Sequence, residues 1–131
     1  MNTKSQFSNI RRILYANAIF CALSGLVLAF ASKPVAAFLG IPSSSGILLG
    51  LGIVLLVYAD IVYIFAKREE ISKGFVLFVV IADSLWVLDS ILLLVTDWVP
   101  LSTAGMWAVG IIAVIVDLFA TLQFFEWRKM D

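Results

Sequence analysis

Four aspartates, Asp60, Asp83, Asp89 and Asp117, interrupt stretches of sequence that are otherwise almost wholly apolar. On membrane-insertion scales a carboxylate at the centre of a helix costs ~2.5 to 3.5 kcal/mol, while each large apolar residue returns only ~0.3 to 0.6. Residues that expensive point to chemistry. A buried carboxylate can hold a proton, a cation, or the cationic head of an amphipathic small molecule. Aromatic neighbours suit an organic cation, because ring faces add cation–π attraction. Tyr58 and Tyr63 bracket Asp60, and Trp86 stands between Asp83 and Asp89. Two carboxylates brought close in a medium of low polarity cannot both ionise cheaply, so such a site would also be linked to protons. Asn17, Cys21 and Ser24 recur at i, i+4 and i+7 and make a narrow polar stripe that a shared interior would accommodate. The candidate ligand or ion-binding residues are therefore Asp83 and Asp117, with Asp60, Asp89, Asn17, Trp86, Tyr58 and Tyr63 around them.

The composition closes off several other chemistries. The chain contains no histidine, which removes imidazole from every metal-binding and nucleophilic scheme. Its one cysteine, Cys21, lies inside an apolar run and admits neither an internal disulfide nor a multi-cysteine metal site. A formal net charge of zero gives no basic surface for nucleic acid. We expect no cofactor, no metal, no nucleic-acid partner and no enzymatic activity. A lipid-modifying enzyme built on paired aspartates is the weakest alternative, lacking any dense motif of metal ligands.

The elements that must position these acids follow from the hydropathy. At 63% hydrophobic residues the chain far exceeds the roughly 45 to 50% usual in soluble domains. The apolar residues fall into four blocks, about 13–31, 46–66, 75–96 and 102–126, each long enough to cross a ~30 Å hydrocarbon layer as a helix. Backbone amides inside a bilayer must be satisfied within the chain, so these blocks are helices and not open strands. The expected fold is an all-α bundle of four transmembrane helices in a single domain spanning 1–131. The first block also has the order of a secretory signal, but it is longer than the usual ~7 to 15 apolar residues, so a retained span is expected.

Lys33 and Pro34 are expected to stop the first span, since proline disfavours helix in the residue before it. The apolar segment from Val35 to Gly40 reads as a short interfacial helix ended by its glycine. Pro42 and the serines that follow lead into the second span, and Asp97, Trp98 and Pro100 close the third with an interfacial aromatic and a proline stop. Gly46 and Gly50 form a small-x-x-x-small pair suited to packing against the first span or against another copy, which makes a homodimer a candidate assembly. Lys4, Arg11, Arg12, Lys67, Arg68, Lys73, Arg128 and Lys129 fall on one side of the four spans and only Lys33 on the other. By the positive-inside rule both termini and the central turn are cytoplasmic, as in a multi-pass protein of the bacterial inner membrane.

Counting from the nearest charges, Asp83 lies ten residues beyond Lys73 and Asp117 eleven before Arg128, which puts both near the bilayer midplane at ~1.5 Å per residue. Asp60 belongs to the cytoplasmic half and Asp89 to the outer half. Gly110, Ala113, Asp117 and Thr121 are expected to share an inward side of the fourth helix. Ser24-Gly25, Phe38-Leu39-Gly40 and the run Asp83-Ser84-Leu85-Trp86-Val87-Leu88 resemble a group of small bacterial four-helix membrane proteins, a resemblance that implies this fold and brings no activity with it. Membrane lipid is the expected surrounding. The favoured function is binding or transport of a proton, a cation or a cationic amphiphile at the buried carboxylates. The alternative is a non-catalytic accessory or assembly protein whose polar residues only fix helix packing.

Overall fold

A computed structural model of the chain describes residues 3–96 and 99–130. Five α-helices follow one another: α1 (Thr3–Phe30), α2 (Ser32–Leu39), α3 (Ser45–Ala66), α4 (Lys73–Val95) and α5 (Thr103–Lys129), with a single 3-10 turn at Pro42–Ser44 before α3. Four of them, α1, α3, α4 and α5, are long and apolar enough to cross a membrane. The fold is the expected all-α four-span bundle with a short extra helix between the first two spans. Asp97 and Trp98, expected to close the third span, lie outside the described residues.

The helix boundaries have local causes. α1 starts well before the apolar block, because its polar first turns extend the same helix beyond the hydrocarbon-length stretch. The break falls at Ala31, whose φ of −127° and ψ of 34° leave the helical region, and not at Lys33 and Pro34. Those two residues lie inside the first turn of α2, where a missing proline N–H breaks no helical bond. Gly40 ends α2 with φ at 83°, the left-handed conformation that a side chain disfavours, and its N–H reaches the carbonyl of Ala37. Ser72 and Ser102 cap α4 and α5 by accepting bonds from the amides of Phe75 and Gly105. Ser102 has a second task, since its Oγ donates to the Phe38 carbonyl and its amide to the Leu39 carbonyl, clipping α2 onto the start of α5.

Packing divides the spans into two pairs. α1 runs closely along α3, and α4 along α5, while the pairs meet mainly through α1 and α5. The α1–α3 crossing depends on two glycines: a Cβ on Gly25 would stand 2.8 Å from the carbonyl oxygen of Gly52, and a Cβ on Gly52 would stand 2.8 Å from that of Gly25. Gly46 and Gly50, expected to pack against the first span or against another copy, do not touch α1, since a Cβ at either would meet nothing within 4 Å. The spans form an arc in the order α3, α1, α5, α4. Its ends α3 and α4 meet through side chains near their turn, with Phe65 stacked on Phe75 at 4.5 Å between ring centres and Tyr58 6.4 Å from Phe78, and their backbones stay apart.

The two ends of the bundle differ. Around the α3–α4 turn, Ile10, Leu14, Val62, Ala66, Ile71, Val76 and Val79 make a dry core with almost no exposure. Arg11 ties this end together by donating to the carbonyls of Ala66, Arg68 and Glu69 at 2.9, 2.6 and 3.1 Å. Lys73 lies 5.1 Å from the ring centre of Trp127, so the end of α5 is gathered here as well. The basic residues identified from the sequence thus cluster at one end, and Lys33 stands at the other.

Candidate functional site

α1, α3 and α4 bring three polar side chains to one point at mid-height of the bundle. Asp83 of α4 is 5% exposed and Asn17 of α1 is 2% exposed. The Nδ2 of Asn17 donates to Asp83 Oδ2 at 2.8 Å, and the hydroxyl of Tyr58 on α3 donates to Asp83 Oδ1 at 3.3 Å. Cys21, one turn beyond Asn17, turns its sulfur to within 3.4 Å of the Asn17 carbonyl oxygen and holds the amide with its N–H₂ toward the carboxylate. Each carboxylate oxygen has two lone pairs. The two protein donors therefore leave Asp83 with further acceptor capacity.

This carboxylate stands on the wall of a cavity of about 600 Å³. The cavity is bounded by Phe20, Cys21, Ser24, Val27 and Leu28 of α1, Val35 of α2, Leu51, Val54, Leu55 and Tyr58 of α3, Ala82 and Trp86 of α4, and Ile112 and Val116 of α5. Its walls are overwhelmingly hydrocarbon, and the polar contribution is concentrated at the Asn17–Tyr58–Asp83 end. Below that end the dry core closes the bundle; at the other end lies α2 with Val35. At the side, the seam between α3 and α4 carries cavity-lining residues on both of its edges.

Of the eight residues singled out from the sequence, Asn17, Tyr58, Asp83 and Trp86 come together here. The other four do not. Asp60, Asp89 and Asp117 are exposed on the outer surface of the bundle, a correction to the expectation that all four acids face a common interior. Tyr58 serves Asp83 on the neighbouring helix and not Asp60 on its own. Tyr63 is 52% exposed and packs against Tyr15, ring centres 5.7 Å apart, with the Lys67 ammonium 5.6 Å from its own ring centre. On α5, Ala113 turns inward, whereas Asp117 and Thr121 turn out. Ser90, buried about two turns beyond Asp83, is occupied by the Trp86 carbonyl at 2.9 Å.

Sequence reasoning passed over Gln123. It has no exposure, and neither its Oε1 nor its Nε2 has a partner. Its position was readable, because Ala113, Val116, Ala120 and Gln123 follow helical spacing along the buried side of α5. The indole N–H of Trp86 is likewise buried without an acceptor. Among the described residues no group of three or more metal-ligating side chains is found. Comparison with known protein families, curated proteins and solved structures finds no match to this chain.

Proposed function

We propose that this protein binds a cationic amphiphile within the membrane, with the cationic head on Asp83 and the apolar tail along the cavity toward α2. The observation that carries the reading is the placement of one under-used carboxylate on the wall of an otherwise hydrocarbon cavity. A volume of about 600 Å³ falls in the range that holds drug-sized ligands. An ammonium group would neutralise the carboxylate and take up its free lone pairs, and Tyr58 and Trp86 add aromatic surface beside it. The α3–α4 seam gives such a molecule a route in from the acyl chains. Because the dry core closes the opposite half, this arrangement fits binding without conduction, and we regard the protein as non-catalytic. The lysine and arginine distribution supports a cytoplasmic position for the closed end, and the resemblance to small bacterial four-helix proteins supports an inner-membrane location.

One observation favours the accessory or assembly reading. Asp83, Asn17 and Tyr58 join three helices and so act as a clasp. Magnitudes argue against this as the whole explanation, since two bonds at ~0.6 kcal/mol each do not offset an insertion cost of ~2.5 to 3.5 kcal/mol. The test is equilibrium binding of a long-chain alkylammonium and of the alcohol of equal chain length to protein in nanodiscs. The wild type should prefer the ammonium by about tenfold or more, corresponding to ~1.4 kcal/mol, and Asp83→Asn should remove that preference while leaving the folded bundle intact. An equal affinity for both probes in the wild type would leave only the clasp.

A further inference from the structure

The cavity wall offers more than a carboxylate. Of the polar side chains that border it, Asn17, Cys21, Tyr58 and Asp83 bond to one another, which leaves Ser24 on α1 and Trp86 on α4. The indole N–H of Trp86 is buried without an acceptor. Serine and threonine hydroxyls in apolar helices commonly donate to the carbonyl one turn earlier, as Ser90 does to Trp86 and Thr96 to Leu92. Ser24 makes no such bond, and its hydroxyl has no partner among the described residues. Position separates these two donors from the other unpaired polar groups: Gln123 does not border the cavity, and Ser84 is exposed on the outside of the bundle.

Both donors stand on the side of Asp83 toward which a tail would run. α1 and α4 both lead from the closed end toward the α2 end, with Trp86 three residues beyond Asp83 and Ser24 seven beyond Asn17. At ~1.5 Å per residue, the two lie ~5 and ~10 Å past the level of the Asn17–Asp83 bond. A wholly saturated chain in that stretch would keep water out and give neither donor a partner, which is costly for a buried N–H. A carbonyl oxygen there has two lone pairs and brings no donor of its own. Beyond Ser24 the wall continues through Leu28 and Val35, where only hydrocarbon is matched. We infer that the amphiphile held at Asp83 carries a ketone or ester carbonyl between its ammonium and its tail, accepted by the Ser24 hydroxyl and the Trp86 indole. The inference rests on the assignment of the cationic head to Asp83, and it turns a general preference for alkylammonium into selection for an oxygen at one distance from the charge.

Equilibrium binding in nanodiscs tests it with a saturated alkylamine and two others of equal chain length, one with a keto oxygen at that distance from nitrogen and one with the oxygen near the tail end. The near-keto amine should bind the wild type about tenfold more tightly than the saturated amine, the gain of one to two net hydrogen bonds, and the far-keto amine should show no gain. Ser24→Ala and Trp86→Phe should each bring that ratio several-fold closer to one. In protein carrying isotope-labelled tryptophan, the near-keto amine should move downfield the indole N–H resonance that Trp86→Phe removes, and by more than the saturated amine does. Equal affinities for the saturated and near-keto amines, or a keto gain that survives both substitutions, would overturn the inference while the preference for ammonium over alcohol at Asp83 still stood. Absence of that preference from the wild type would bring down both.

Discussion

At the scale of single residues, Asp83 is the centre of the account, and its two donors are not equivalent. Asn17 approaches at 2.8 Å, is fully buried and is itself steadied by Cys21, whereas Tyr58 approaches at 3.3 Å from a half-buried side chain. Asn17→Ala should therefore cost more stability than Tyr58→Phe, with ~0.6 kcal/mol expected for the tyrosine and up to ~2 kcal/mol for the asparagine. Reversible unfolding in mixed micelles measures both, and equal or negligible losses would show that the bonds do not organise the site. The sequence marked Asp83, Asn17, Tyr58 and Trp86 as candidates but ranked Asp117 level with Asp83 and kept Asp60 and Asp89 beside them. The reason is physical: lipid and bundle interior are both apolar, so a membrane helix carries leucine, isoleucine and valine on every side and lacks the contrast that reveals a buried face in water. Small residues mislead for the same reason. Gly110 lies on the outward side of α5 and Ala113 on the inward side, yet both invite close packing.

At the scale of helices, length and termination were legible, because hydrocarbon thickness and capping chemistry act locally. Gly40 ends α2 as expected, and the four spans fall close to their expected blocks. Which helices touch was less legible, since it depends on where backbones can approach, and that is decided by pairs of residues remote in sequence. Gly25 and Gly52 are such a pair. Gly52→Leu should destabilise the bundle by ~1 to 3 kcal/mol or prevent its assembly, because the added side chain would meet the backbone of α1. Gly50→Leu should be tolerated, since nothing stands within 4 Å of that position. Thermal denaturation of the two variants in detergent distinguishes them, and a Gly50 variant as damaged as the Gly52 variant would mean that α3 uses a different face.

At the scale of the whole molecule, the arc of four spans is closed at one end and open within. The core around Ile10, Leu14, Val62 and Val79 fills the half next to the α3–α4 turn, and the cavity occupies the half next to α2. Asp83 lies at the boundary, where a tail directed toward α2 meets apolar walls and a head directed toward the core meets a carboxylate. Labelling with an alkylamine that carries a photoreactive group in its chain tests this most directly, because the modified residues can be mapped by mass spectrometry. We predict labelling at cavity residues such as Leu28, Leu51 and Leu55, sharply reduced in Asp83→Asn. Labelling spread over outward residues such as Ile19, Leu26 and Val114, at the same level with and without the Asp83 carboxylate, would contradict the account.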